Sequence, residues 1–161
     1  GRRYPTSSGE GLHRRSLYTF WKRTSPPPAM LILDAAQRDV CVARRSETAT
    51  PLQALLLLND PQFVEAARVL AERVLAGNDS TDEAIESAFR RLTGRRPTAD
   101  EAAVLREIHA GELASSDPAS AKALASTGQA PRTDGLDDAE VAAMTLVCSA
   151  IMNTDAATTR R

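Results

Sequence analysis

TPLQALLLLNDP, residues 50–61, is the stretch of this chain that decides its fold. Thr50, Pro51 and Gln53 stand where a helix N-cap, a first-turn proline and a capping-box glutamine are expected, so we predict that a helix begins here. The residues from Ala54 to Leu58 that follow are all apolar. Because a helix that is apolar on nearly every side is typically buried, this segment predicts a core helix rather than a surface helix.

Similar start signals recur along the rest of the chain. Each one joins a capping side chain to an apolar pattern with helical spacing. The predicted starts are at Asp60, Ser80, Thr98 and Asp137, and the predicted stops are at Gly77, Gly94 and near Gly111. Aromatic residues make up only 4% of the chain, so the core must consist mainly of Leu, Val, Ile and Ala, which favours helix over sheet. We therefore predict an all-α fold, an irregular bundle of about five to six helices with an extended, Pro-rich N-terminal segment.

Composition also divides the chain into segments. Gly, Ser and Arg are frequent at its start, and a run rich in Ala, Ser, Gly, Asp and Pro precedes the last predicted helix. Such compositions are typical of frayed ends and connectors, although a short helix from Asp117-Pro118 is an open alternative. The predicted segments are a frayed start (1–11), a helical domain that includes the basic and Pro-rich part (12–114), a flexible connector (115–135), a C-terminal helix that packs back on the domain (136–154) and a frayed tail (155–161).

Charge is distributed unevenly along the chain, although the net charge is only −1. Residues 1–48 contain nine basic and four acidic side chains, a net charge of +5, so the remainder carries −6. Opposite charges of this size could attract each other within the fold or between copies. The alternative is that both sets of charges are solvated on two separate surfaces.

A basic and aromatic segment lies between residues 13 and 23. Its interaction candidates are Arg14, Arg15, Tyr18, Trp21 and Arg23. In one interpretation the aromatic rings stack on bases while the basic groups contact phosphates. In the other, the rings anchor the segment in the core and the basic groups extend out to solvent.

Two adjacent arginines, Arg44 and Arg45, come shortly before the helix that starts at Thr50. Arginines near a helix N-terminus could hold a phosphate, sulfate or carboxylate, because the helix amides add positive potential there. Arg44 and Arg45 are therefore the candidate anion-binding residues. An internal salt bridge to Asp34 or Asp39 is the alternative.

Asn59 and Asp60 lie in the tight turn between two predicted helices. They could contribute polar groups to a cleft, but helix capping would account for Asp60 by itself. The chain contains no sequence motif for nucleophilic, nucleotide-dependent or metal-dependent catalysis. His109 and Glu112 have a spacing that metal ligands could use, but a solvated helix face explains the pair better, so we predict no metal site.

The chain has two cysteines, Cys41 and Cys148, which lie far apart and outside any metal-binding or redox motif. Two buried free thiols are the favoured interpretation, and a long-range disulfide is the alternative if the chain is exported. No wholly apolar run is longer than that from Ala54 to Leu58, which is far shorter than the about 20 residues of a membrane-spanning helix. We therefore predict no membrane span.

The order of several segments resembles a known family. These segments are RRSLYTFWKRT (14–24), LDAAQRDVC (33–41) and LNDPQFVEAA (58–67). They are similar to the C-terminal part of the PSD-family domain of unknown function, which is common in Planctomycetes and related bacteria. That domain typically follows a planctomycete cytochrome c-like domain in large exported proteins. The resemblance therefore implies an extracytoplasmic setting, in the periplasm or cell envelope, with any haem in an upstream domain of the parent and no cofactor in this chain.

Together these features predict a helical interaction module. The expected contact surfaces are the Leu-rich helix from Leu52 and the basic N-terminal segment. The expected partners are other domains of the parent protein, with a homo-oligomer as a second option. The alternative is part of an envelope enzyme with an anion-binding cleft near Arg44 and Arg45. Nucleic-acid binding is the least favoured interpretation, because the implied export would separate the chain from nucleic acid.

Overall fold

A computed structural model of the chain describes residues 7–22, 24–36, 41, 43–44 and 48–158. The regular structure of these residues is entirely helical, which confirms the prediction of an all-α fold. The described α-helices are α1 (Pro28–Ile32), α2 (Pro51–Asn59), α3 (Pro61–Ala76), α4 (Thr81–Thr93), α5 (Ala99–Ser115), α6 (Pro118–Ala125), α7 (Asp138–Met152) and α8 (Asp155–Thr158). Two short 3₁₀ helices, Gly9–His13 and Ser16–Tyr18, precede them. None of the helices in this part of the chain is long and apolar enough to cross a bilayer.

The chain divides into two compact units, residues 1–56 and residues 57–161. Their boundary falls inside α2, and therefore within the single helical domain that the sequence predicts over residues 12–114. The N-terminal unit is the part that contains the excess of basic residues. The hydrophobic core that the structure describes lies in the C-terminal unit and begins at Ala67.

Helix α7 is the central element of the C-terminal unit and contacts α3, α4, α5, α6 and α8. Nine of its fifteen residues are buried, so other helices surround it. Its core members are Met144, Val147, Cys148 and Ile151, which join Val74 of α3 and Ile85 and Phe89 of α4. Small side chains are interspersed among large ones along α7, and this lets neighbouring helices pack closely from several directions.

The prediction that α2 is a core helix is wrong. None of its residues is buried, and Leu52, Leu55 and Leu58 have relative exposures of 54%, 56% and 48%. The helix that other helices surround is instead α7, whose small residues Ala142 and Ala143 leave room for neighbours. An all-apolar pattern is compatible with burial but does not supply the partners that burial requires.

Helix starts agree closely with the sequence-based predictions. The predicted caps accept hydrogen bonds from first-turn amides, and these caps are Asp60, Ser80, Thr98 and Asp137. Thr98 and Glu101 form a complete capping box, in which each side chain accepts a hydrogen bond from the other residue's amide. The paired guanidinium of Arg95, together with the Thr98 amide, lowers the pKa of Glu101 to about 2.

Helix α5 continues past its predicted stop. The sequence places its end near Gly111, but the helix runs to Ser115 and Gly111 lies inside it. A glycine inside a helix costs only about 1 kcal/mol relative to alanine, so glycine alone does not end a helix. The chain leaves α5 just before Asp117, whose side chain caps α6, and Pro118 is the first residue of α6.

The segment predicted as a connector, residues 115–135, contains α6 and a hydrogen-bonded loop. The alternative that the sequence leaves open, a short helix from Asp117-Pro118, is the one that the structure contains. Ala121 and Ala125 of α6 are buried, and α6 contacts α7. The alanines that suggest low complexity in the sequence therefore form a small-residue packing face.

Two acidic residues and one arginine of α3 hold the loop that follows α6. Glu65, Arg68 and Glu72, which we call the α3 clasp, have relative exposures of only 6%, 1% and 2%. Glu65 accepts hydrogen bonds from the amides of Gln129 and Ala130 at 2.8 and 2.5 Å. Buried carboxylates need such partners, because an unpaired charge inside a protein is strongly destabilising.

Arg68 is the centre of the clasp. Its guanidinium pairs with Glu72 at 2.6 Å and donates to the carbonyls of Thr127 and Ala130 at 2.9 and 2.8 Å. The second carboxylate oxygen of Glu72 accepts from the amide and hydroxyl of Thr133 at 3.1 and 3.0 Å. The loop backbone is thus fixed to α3 over residues 127–133.

The two cysteines have contrasting environments. Cys148 is completely buried in α7, and burial raises the pKa of its thiol to about 12. Cys41 is exposed, and both thiols are free. The interpretation of two buried free thiols is therefore right for Cys148 and wrong for Cys41.

We predict that Ellman's reagent will titrate one thiol per chain in the native protein and two after unfolding. Only the thiolate reacts, so Cys148 is protected both by its position and by its raised pKa. The variant Cys41→Ser is the control, and it should remove the native reaction entirely. Rapid modification of both thiols in the folded protein would contradict the burial of Cys148.

Candidate interaction surface

A polar network in the N-terminal unit fixes the start of α2. The carboxylate of Asp34 accepts hydrogen bonds from the amide and hydroxyl of Thr48, both at 2.7 Å, and from the side-chain amide of Gln53 at 3.0 Å. Gln53 also donates to the carbonyl of Ile32 at 2.8 Å. Gln53 and Thr50 form the predicted capping box, with bonds of 3.0 and 3.3 Å. One glutamine therefore joins the cap of α2 to the end of α1.

Asp34 has an unusual backbone conformation, with φ of +57°. A non-glycine residue in the left-handed region is uncommon and is maintained only when surrounding contacts hold it. The bonds from Thr48 and Gln53 supply such contacts. The arrangement gives the start of α2 a defined position within the N-terminal unit.

Helix α2 presents an exposed apolar face, which we call the leucine face. Leu52, Leu55 and Leu58 are three residues apart, so they lie along one side of the helix. Ala54, Leu56 and Leu57 elsewhere on the helix are half-buried. The leucines that the sequence assigns to the core are thus available for contact with another surface.

The basic and aromatic segment is also exposed. Leu17, Tyr18 and Phe20 have relative exposures of 68%, 71% and 56%, and Arg14, Arg15 and Lys22 are exposed around them. The interpretation that the rings of this segment anchor it in the core is therefore wrong for Tyr18 and Phe20. Trp21 is half-buried, and Arg23 lies outside the described residues.

The candidate anion site is only partly described. Arg44 is exposed, whereas Arg45 and Asp39 lie outside the described residues. Asp34, the other proposed salt-bridge partner, accepts bonds from Thr48 and from the α2 capping glutamine. The anion site at Arg44 and Arg45 therefore stays a prediction.

Asn59 and Asp60 lie at the junction of α2 and α3. Asn59 is the last residue of α2 and is exposed. Asp60 accepts a hydrogen bond from the amide of Gln62 at 2.9 Å and caps α3. The capping role is therefore present at Asp60, and the proposed cleft role of the pair stays a prediction.

The sequence favours a solvated helix face for His109 and Glu112, and this expectation is wrong for His109. His109 is 5% exposed, and its Nε2 lies 3.1 Å from a carboxylate oxygen of Glu140 on α7. The two atoms are within ion-pair distance but do not form a hydrogen bond. The pair links α5 to α7, elements whose approach the sequence alone does not reveal.

The C-terminal unit contains an open groove of about 500 Å³ along α4. Its lining residues are Asn78, Glu83, Glu86, Ser87, Arg90, Arg91 and Gly94. Two acidic and two basic side chains share this groove, so it offers no net charge to a ligand. Within the described ranges, no group of three or more His, Cys, Asp or Glu side chains is arranged to hold a metal ion.

Comparison with known proteins gives a match to one family model. This model, described as PSD1, a protein of unknown function (DUF1553), matches residues 1–109. The match includes the whole N-terminal unit, α3 and α4. No curated protein and no solved structure matches the chain.

Proposed function

The chain belongs to the PSD1 family of unknown function, and we propose that it acts there as a helical interaction module. Its contact surface is the leucine face of α2. The observation that carries this proposal is the half exposure of three leucines on a helix whose start is fixed by a polar network. Single exposed leucines are common on protein surfaces, but an aligned set on an anchored helix is typical of an interface.

The partner of the leucine face is an apolar surface of another domain in the same parent protein. Helix α2 contains no charged residue from Pro51 to Asn59. Permanent interfaces are more apolar and less charged than transient ones, so an uncharged leucine stripe suits a permanent neighbour. Another domain of the same polypeptide is a permanent neighbour, because the chain keeps the two domains together.

The setting of the parent protein is part of the same proposal. The family resemblance implies an exported protein with a cytochrome c-like domain upstream of this chain. In this proposal, the periplasm or cell envelope is the location, and the haem belongs to the upstream domain. The module described here would hold domains of the parent in a fixed arrangement.

We predict that the chain alone will self-associate, because its leucine face is then uncovered. The variant Leu52→Gln/Leu55→Gln/Leu58→Gln should weaken self-association about tenfold or more, since each leucine contributes apolar area to the contact. Glutamine has nearly the helix propensity of leucine, so α2 should persist. Sedimentation velocity over a concentration series measures this change.

The control for the leucine face is Val104→Gln on α5, whose relative exposure of 55% is close to those of Leu52 and Leu55. This variant should associate like the wild type. A chain that stays monomeric at every concentration, melts cooperatively and binds no hydrophobic dye would contradict the proposal. If Val104→Gln weakened self-association equally, association would not depend on the leucine face, and the proposal would again be contradicted.

A second experiment tests the identity of the partner. In a Cys41→Ser background, Leu55→Cys provides a probe on the leucine face. The proposal expects rapid maleimide labelling in the chain and slow labelling in the full parent protein. Equal rates would mean that no domain of the parent covers α2. If protection appeared only in a dimer of this chain, a second copy would be the partner and the proposed domain contact would be wrong.

A further inference from the structure

The basic and aromatic segment has chemistry that the leucine face lacks. Arg14, Arg15 and Lys22 are exposed, and between them lie three of the most exposed large apolar side chains among the described residues. These apolar side chains are Leu17, Tyr18 and Phe20, at 68%, 71% and 56% exposure. Cationic groups therefore flank a cluster of exposed apolar side chains within one short stretch, residues 14–22.

Among the described residues of the N-terminal unit, the charged side chains that are exposed to solvent are all basic. Arg44 is exposed along with the three basic residues of the segment. Asp34 is the acidic side chain described in this unit, and the amide and hydroxyl of Thr48 already donate to it. The ligand of this surface must therefore be anionic, and it must also accept apolar groups.

Three classes of anionic partner differ in what they can do with these apolar groups. Nucleic acids stack on aromatic rings, but they offer nothing to an aliphatic side chain such as Leu17. An acidic peptide needs a groove, whereas this segment contains a short 3₁₀ helix, Ser16–Tyr18, with protruding side chains. A lipid bilayer accepts leucine and phenylalanine below the headgroups and holds tyrosine and arginine at the headgroup level.

We propose that residues 14–22 form a docking surface for an anionic phospholipid membrane. Leu17, Tyr18 and Phe20 enter the interfacial region of the bilayer, and Arg14, Arg15 and Lys22 contact lipid phosphates. The surface is peripheral, so the chain rests on the membrane without crossing it. This inference uses residues other than the leucine face and stands independently of the domain contact proposed for α2.

Co-sedimentation with lipid vesicles tests the inference on the full chain. The expected result is binding to vesicles of phosphatidylcholine with phosphatidylglycerol, and much weaker binding to phosphatidylcholine alone. Added salt should weaken binding, because it screens the exposed charges. Each basic residue near an anionic surface contributes about fivefold to affinity, so Arg14→Gln/Arg15→Gln/Lys22→Gln should bind about a hundredfold more weakly.

A second variant, Leu17→Ser/Tyr18→Ser/Phe20→Ser, separates the contribution of apolar insertion to vesicle binding from that of charge. It should lose at least about tenfold in affinity while keeping its salt dependence. All substituted side chains are exposed, so the melting temperature should not change and can be checked directly. If this variant binds like the wild type, the segment only adsorbs by charge and the proposed insertion is wrong.

The control for net charge is Arg73→Gln/Arg90→Gln/Arg91→Gln, three exposed arginines of the C-terminal unit. It removes the same charge and should bind vesicles like the wild type. Equal loss in this control would overturn the assignment to residues 14–22. Binding to oligo-dT or polyglutamate with no binding to anionic vesicles would also overturn it, in favour of a nucleic acid or an acidic protein.

Discussion

Replacing Arg68 with methionine is expected to lower the free energy of unfolding by about 3–5 kcal/mol, the range seen when one partner of a buried ion pair is removed. Methionine fills much of the same volume, so the loss comes from the polar groups that remain. Glu72 would keep a buried carboxylate without its arginine, and the carbonyls of Thr127 and Ala130 would lose their donors. Such a loss is a large part of the stability of a typical domain.

Urea denaturation followed by far-UV circular dichroism measures this loss. The matched control is Arg106→Met, which removes an exposed arginine from its pair with Asp82, where the side chains are 51% and 63% exposed. Exposed pairs contribute about 0–1 kcal/mol, so the free energy of unfolding of this variant should be almost that of the wild type. Similar losses of stability in the two variants would show that the buried Arg68 network stabilises the protein no more than an exposed ion pair does.

A double variant separates charge from packing at the same place. Arg68→Met/Glu72→Leu leaves no unpaired carboxylate, so it should be more stable than Arg68→Met alone. The carbonyls of the loop would still lack donors, so stability should not return fully to the wild-type value. If the double variant were less stable than Arg68→Met, the unpaired carboxylate of Glu72 would not be the cause of the lost stability.

Local signals in the sequence are enough to find α3, α4, α5 and α7 of the C-terminal unit. Each cap requires only a side chain and an amide two or three residues away, so Ser80, Thr98 and Asp137 could be identified without the fold. The all-α class follows from the repetition of such signals. The end of α5 was missed because glycine is only a weak stop inside a helix.

Burial depends on partners that are distant in the chain, and the sequence predicted it less well. Leu52 and Val147 both lie in strongly apolar helices, but only Val147 is surrounded by other elements. The α3 clasp was not predicted for the same reason. Glu65, Arg68 and Glu72 have spacings that fit an ordinary solvated helix face, and their loop partners are about sixty residues further along.

The two proposed contact segments are visible in the sequence, but the exposure of their side chains is not. A leucine-rich stretch and a basic–aromatic stretch are visible in the sequence, because composition alone defines them. Whether Tyr18 or Leu55 points inward or outward depends on tertiary packing, and both are exposed. Charge was more informative, since the excess of basic residues coincides with the N-terminal unit.

Replacing Gly128 with alanine is expected to destabilise the C-terminal unit by about 3 kcal/mol, through backbone strain and overpacking together. Gly128 has φ of +101°, a conformation that side-chain-bearing residues rarely adopt. An added Cβ would also lie 2.7 Å from the Cβ of Glu65 and would meet the rest of that side chain. Rotation of the Glu65 side chain cannot relieve the contact with its own Cβ, so the backbone must move. That movement would pull Gln129 and Ala130 away from the carboxylate that holds them.

Gly135→Ala separates the two contributions, because Gly135 has φ of +84° but has no atom within 4 Å of an added Cβ. Its loss should be limited to the conformational cost, roughly 1 kcal/mol. Chemical denaturation of both variants measures the difference, and the excess in Gly128→Ala reports the contact with Glu65. Amide exchange at residues 129 and 130 should also accelerate in Gly128→Ala and not in Gly135→Ala, because only the first change displaces the acceptor of those amides. Equal stability losses in the two variants would mean that the loop does not press against α3, and the clasp would then not explain how residues 127–133 are held.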